Sequence, residues 1–307
     1  MKQAKIYLML LSVSVFMGAT FPLAKYTVNY FSPASAAAWR FGIAAVMMLI
    51  ILLVTEGIQR SQFKRNIIWY GVMGIVGVFG FNALFFVGMK GTSPVNGSLI
   101  MALNPLITTI LARLLLKEHI SKQQAIGIFL AFMGVALVIT QGSLQTIATL
   151  SISGGDVMIL AGNGCWALYG VLGRRFVKDS TPLATTTHTM VIGTIGLLMS
   201  SVYTSNPVPL TDIPLGAWAA ILFMAIFTSV LGYLWWNQGM ALIGASKTSL
   251  FYNLVPAVAM IVSLAAGTPV TVIQVIGALI VIIGVFTASG MLSRYGREKR
   301  AVRSIRL

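Results

Sequence analysis

The chain has 307 residues, of which 57% are hydrophobic and only 9% charged, and its mean hydropathy is +0.90. A soluble protein of this length needs far more charge to cover its surface, so the composition excludes a water-soluble globular domain. The formal charge is +15, from 21 Lys and Arg against 6 Asp and Glu, which leaves nucleic acid and a membrane surface as the two sinks for the basic residues.

Apolar runs of roughly 18–25 residues, each about long enough to cross a bilayer as a helix, recur along the whole chain. In order they are predicted at 6–24, 34–54, 67–89, 94–116, 123–140, 156–173, 184–202, 215–243, 249–266 and 272–292, ten helices in one transmembrane domain spanning 1–307. The eighth window is too long for one straight span. Residues 1–19 imitate a secretory signal, with Lys2 and Lys5 ahead of an apolar stretch. A retained helix is expected instead, because the segment has a counterpart later in the chain. The single Cys165 allows no intrachain disulfide and reads as a small buried packing residue.

The basic residues fall in alternate connections. With the N-terminus cytoplasmic, 18 of the 21 Lys and Arg lie on that side, including Arg60, Lys64, Arg65, Arg174, Arg175, Lys178 and a basic tail at 293–307. This is the positive-inside bias, and it predicts both termini in the cytoplasm of an inner or plasma membrane. The lipid bilayer therefore accounts for the charge, and no nucleic-acid partner is needed.

The chain also repeats itself. Residues 85–105 align with 236–256 at an offset of 151, pairing Gly88 with Gly239, Met89 with Met240, Ser98 with Ser249 and Pro105 with Pro256. Gly127 and Gly134 align with Gly277 and Gly284, and Trp166 to Tyr169 with Met17 to Thr20. Pro105 and Pro256 free carbonyls in mid-span where a helix must bend. Glycines seven apart share a helix face and admit a close neighbour. With five spans per half (1–145 and 150–292), the second half enters from the opposite side. The expected fold class is thus all-α integral membrane, ten helices in two inverted five-helix repeats, an arrangement common among secondary transporters.

Gly18-Ala-Thr-Phe21 with Lys25, Arg40 in the second span, Pro105 followed by Leu116-Lys-Glu118, and Gly127 with Gly134-Val135 together resemble the drug/metabolite transporter superfamily, closest to its ten-helix EamA group. The resemblance covers essentially the whole chain. It implies a five-plus-five inverted fold and transport of small metabolites, often outward. One departure is that the acidic residue expected after the second proline-bearing helix falls at Thr268 or Pro269, leaving Glu118 without a symmetric partner.

Amides avoid lipid, so those within spans are expected to face the bundle interior. Asn82, Asn96, Ser98 and Asn104 from the third and fourth spans, with Trp166, Tyr169, Trp236, Asn237, Tyr252 and Asn253 from the sixth, eighth and ninth, form the candidate substrate site. Helix–helix hydrogen bonding is the competing role for each amide. Glu118 either pins the turn before the fifth span or takes part directly in proton or substrate coupling, and His188 is either structural or an intramembrane titrating group. Arg40 is expected to snorkel outward, with anion binding as its alternative. A cavity of this kind, with no midplane charge, suits a neutral or zwitterionic solute with an apolar body.

The chain offers no paired intramembrane carboxylates, metal-ligand spacing or nucleophile with its base, so neither an enzyme nor a cofactor or metal is expected. A channel or a receptor is the alternative function. The sequence leaves the oligomeric state open, and a monomer is compatible with it.

Overall fold

Hydroxyl caps mark where several helices begin, in a computed structural model that describes residues 2–117, 121–140, 142–143, 153–204 and 210–288. Ser32 accepts from the Ser35 amide at 3.1 Å, Ser93 from that of Asn96 at 3.1 Å and Thr181 from that of Ala184 at 3.0 Å. A proline follows each cap, already holding the helical φ and lacking an amide to satisfy.

Among the described residues all regular structure is helical. The helices are α1 (Lys2–Thr27), α2 (Pro33–Thr55), α3 (Arg60–Gly91), α4 (Pro94–Leu116), α5 (Lys122–Ile139), α6 (Gly154–Phe176), α7 (Pro182–Thr204), α8 (Leu215–Leu242), α9 (245–265) and α10 (Val272–Ala288). Their order matches the predicted spans. The clearest difference is α3, which starts seven residues early, at Arg60 rather than at 67. Its polar first turns are held from outside: Gln62 donates to the Asp179 carbonyl at 2.8 Å and Asn66 to that of Lys178 at 2.9 Å.

Seven of the described helices, among them α1 to α4, are long and apolar enough to cross a membrane, and α5 and α10 contain shorter apolar stretches. Large apolar side chains such as Leu8, Val46, Ile68 and Leu114 are more than half exposed. That surface suits a hydrocarbon solvent and would drive association in water. The chain is a multi-pass membrane protein.

Four helices are interrupted inside the bundle. Gly74–Gly80 in α3 and Met224–Gly232 in α8 widen into π-helical turns, which lets the 28-residue α8 run on as one span. The fourth helix breaks at Ala102 and Leu103, and the ninth tightens into a 3₁₀ turn at Leu250–Leu254. Pro105 and Pro256 each stand near the start of the resumed helix, where a missing amide costs nothing.

Contacts recur at the spacing of the sequence match. Ser14 on α1 donates to the Phe251 carbonyl at 2.6 Å, and Asn163 on α6, 149 residues later, donates to the Ile100 carbonyl at 2.9 Å, 151 residues earlier. Gly88 lies against Ile159 of α6, and Gly239 against Leu10 of α1. The fifth and tenth helices cross with Gly134 on the Gly277 backbone and Gly284 on the Gly127 backbone, so the two run antiparallel.

A Cβ built on Gly277 would lie 2.2 Å from Val138 and 2.9 Å from the Gly134 carbonyl, whereas one on Gly42 would meet nothing. Gly277→Ala is expected to destabilise the detergent-solubilised protein by about 1–3 kcal/mol, the usual range for overpacking. Gly42→Ala should leave the melting temperature unchanged or raised, since alanine is the better helix former. Equal melting temperatures for the two variants would contradict the close crossing.

Candidate functional site

At spacings of three and four residues, Tyr233, Trp236, Asn237 and Met240 line one face of α8, and all four are buried. They meet Trp166 and Tyr169 from α6 and Tyr252 from the 3₁₀ turn. The Trp166 and Tyr169 rings stack at 5.4 Å, Tyr233 stands edge-on to Trp166 at 4.6 Å, and Tyr252 edge-on to Trp236 at 5.0 Å. Offset and edge-on pairs of this kind each add about 0.5–1.5 kcal/mol beyond area burial.

Polar groups fix the ring edges. Asn237 donates to the Tyr169 hydroxyl and to Thr186, both at 2.7 Å, and Asn82 donates to the Tyr233 hydroxyl at 3.0 Å. Asn82 and Tyr233 are themselves 151 residues apart, the offset at which residues 85–105 match 236–256 in sequence. The indole nitrogens of Trp166 and Trp236 are buried with no partner among the described residues.

Two larger spaces open at opposite ends of α6. One, of about 850 Å³, is lined by Pro22, Lys25, Lys90, Asn96 and Asp156. The other, of about 260 Å³, is lined by Gly173, Arg174, Thr185, Asn237 and Met240. Asp156 and Gly173 are separated by about 25 Å of helix at 1.5 Å per residue. The aromatic cluster lies between the two vestibules. Lys25 donates to the Met89 and Lys90 carbonyls at 3.0 and 3.1 Å, and Thr92 donates to Asp156, so the Lys25 and Asp156 charges at that mouth are engaged.

The candidate residues separate into groups. Trp166, Tyr169, Trp236, Tyr252, Asn82 and Asn237 come together in the central cluster. Asn253 is buried beside it but turns its amide to the Leu250 carbonyl. Asn96 is corrected to the mouth of the larger vestibule, where it accepts from Gln274 at 2.9 Å. Ser98 is spent on the Val95 carbonyl of its own helix at 2.7 Å, and Asn104 binds Asn163 at 2.8 Å, a bond that joins α4 to α6. His188 packs against the Phe63 and Tyr70 rings near the start of α7, away from the cluster. Glu118 lies outside the described residues.

The main correction is Arg40. It is only 2% exposed, and its Nε donates to Ser229 in the π segment of α8 at 2.9 Å. Its guanidinium lies 4.9 Å from the Phe41 ring centre and 5.9 Å from that of Phe86, geometry suited to cation–π attraction. It does not snorkel outward, and the centre of the bundle does hold a charge. Tyr233, Asn163 and Thr186 were also missed. Tyr233 was findable as the residue one turn before Trp236. Among the described residues no group of three or more His, Cys, Asp or Glu converges as a metal site.

Asn237 bridges two elements, so Asn237→Ala should lower stability by about 1–3 kcal/mol by removing two buried hydrogen bonds, although the Tyr169 and Thr186 hydroxyls keep Thr189 and the Pro182 carbonyl. Thr186→Val should cost less, because Asn237 keeps Tyr169. Thermal unfolding of the purified variants measures both, and the reverse order would exclude the bridge.

Comparison with known proteins shows the family. The family model described as the EamA-like transporter family matches residues 4–140 and again 153–290. The uncharacterized transporter YyaM of Bacillus subtilis is 68% identical over 292 residues, covering 95% of this chain and 96% of that one. An uncharacterized transporter of Archaeoglobus fulgidus is 27% identical, covering 92% and 98%. A solved crystal structure superposes with a TM-score of 0.69 at 18% identity, over 92% of this chain and 97% of that one, a likeness of fold alone. With its helical bundle, buried polar centre and a family match over nearly its whole length, the chain belongs to the EamA-like transporter family.

Proposed function

We propose that the protein is a secondary transporter of the plasma membrane that moves small zwitterionic or neutral metabolites, amino acids among them, outward by alternating access. The observation that carries this reading is the buried cluster of rings and amides between two vestibules at opposite ends of α6. A solute reaching the cluster from one side meets a closed wall on the other, which is what alternating access requires and a continuous channel lacks.

Ten spans in two inverted halves supply the two states. Support comes from the double family match, the antiparallel glycine crossing of α5 and α10, and the paired bonds from Ser14 and Asn163. In this reading the vestibule near Asp156 faces outward and that near Arg174 faces the cytoplasm, as the basic connections imply. The sequence has no phosphate-cradling glycine loop, so uphill work draws on an ion or solute gradient.

Flux in proteoliposomes tests the function. Amino acids with apolar or aromatic side chains should accumulate against their gradient when an ion gradient is imposed, and equilibration without accumulation would point to a channel. Trp236→Ala should weaken binding of such solutes by about 1–3 kcal/mol, the scale of one buried side chain. Normal binding by a folded Trp236→Ala protein would remove the cluster from the transport path.

Labelling tests the orientation. In a Cys165→Ser background, cysteines at positions Ser143 and Ser205 should react with an impermeant thiol reagent added outside, and one at Ser61 should not. Reaction of all three from one side would sink the topology.

A further inference from the structure

Arg40 stands out as a buried cation without an anion. Among the described residues the ionisable groups near enough to influence it are Tyr233 and Tyr252, both neutral phenols, and the ion pair found is Arg65 with Asp179 at the surface. Of the five N–H groups on its guanidinium, the structure engages Nε alone, with Ser229. The rest have no protein acceptor among the described residues. A charge held within a membrane without a partner is costly and usually marks a function.

The space beside it carries the second observation. A cavity of about 20 Å³ is lined by Arg40, Thr20, Phe21, Phe85, Tyr233 and Tyr252, among others, and Arg40 is its sole charged lining residue. The Tyr252 hydroxyl, on a side chain 3% exposed, has no hydrogen-bond partner among the described residues. A planar guanidinium and a free phenol thus face one space, a donor set that matches a carboxylate. A phosphate dianion would need a second cation, and Lys25 and Lys90 line the outer vestibule, not this cavity.

We propose that Arg40, with the Tyr252 hydroxyl, is the binding site for the carboxylate of a solute whose apolar or aromatic body lies against Trp166, Trp236 and Tyr233. This deepens the transporter reading and rests on it: it narrows the cargo to monocarboxylates, including amino acids in their zwitterionic form, and excludes purely neutral solutes. The volume beside Arg40 holds no more than about one water, so the described conformation is closed over the site. Phe21 and Phe85, whose rings stand edge-on at 5.4 Å, border this cavity, while Pro22, the next residue of α1, lines the outer vestibule. These two rings must part to admit the carboxylate from that side.

The test is a binding titration on the purified full-length protein, read by the fluorescence of its own tryptophans. The probes are 3-phenylpropionate and L-phenylalanine, each against its amide. Each carboxylate should bind about tenfold or more tighter than its amide, the scale of a lost charge-assisted hydrogen bond. In Arg40→Gln that preference should fall to near parity, and in Arg40→Lys it should return in part. Tyr252→Phe should weaken the carboxylates several-fold and leave the amides alone.

Absence of carboxylate binding to the unaltered protein, or a preference that survives Arg40→Gln, overturns the proposal. Where Arg40→Gln does not fold, an unchanged preference in both Arg40→Lys and Tyr252→Phe overturns it equally. Flux of the same probes separates the two readings. Carboxylate-selective binding without flux leaves this site and removes the transporter, whereas flux indifferent to the carboxylate does the reverse.

Discussion

A hydrocarbon solvent offers no partner for a free backbone carbonyl or amide, and the rest of this structure follows from where the helices break that rule. Each of the four interruptions is turned into the bundle and covered by a neighbour. The π segment of α3 is held between Tyr169, packed on Gly77, and Gly193, packed on the Gly74 carbonyl. That of α8 takes Thr20 on Thr228 and Arg40 on Ser229. The carbonyls freed in α4 receive the amide of Asn163, and those in α9 receive Ser14. Polar side chains gather at the centre because the backbone there needs them. The aromatic rings then fill the volume that widened turns and broken helices leave.

In the proposed reading of two repeated halves, matched positions satisfy this constraint in the same way with different residues. Ser32 and Thr181 cap equivalent helices, and Lys25 and Arg174 close equivalent ends, Lys25 on the Met89 carbonyl and Arg174 against Gly244. At the position matching Arg40 the second half has Thr189, a small hydroxyl beside Tyr169. Placing an arginine at mid-membrane costs about 2.5–3.5 kcal/mol on insertion scales. One hydrogen bond and two ring faces offset part of that. A fold that only needed to stand would be better served by the neutral residue its own other half uses.

Much of the fold was legible because lipid imposes coarse rules: apolar runs of fixed length, and glycines where helices touch. The burial of the aromatic cluster was legible too, since Trp166 with Tyr169 and Trp236 with Tyr252 are bulky, semi-polar rings in segments otherwise built for lipid. Arg40 was not. Near a helix start an arginine reaches the interface as easily as the interior, and what turned it inward is Ser229, 189 residues away in a widened turn that periodicity does not reveal. The partners of Asn104 and Ser98 were not legible, for the complementary reason. An amide or hydroxyl in a span must find an acceptor, and the acceptor can be a neighbouring helix or the residue's own turn as readily as a cavity.

In the proposed cycle the same features divide into pivot and moving parts. The crossing of α5 and α10 is built from backbone contacts at four glycines, and a contact in which each helix presents the same face survives a small rotation about its axis. The breaks in α4 and α9 are joined to α6 and α1 by side-chain hydrogen bonds, which can be exchanged without exposing a carbonyl to lipid. A rocking of one half on the glycine seam would open one vestibule toward Arg40 as it closed the other. Because Arg40 belongs to the first half alone, the two end states are not equivalent, and a bound anion would favour whichever state draws Tyr252 and the guanidinium together.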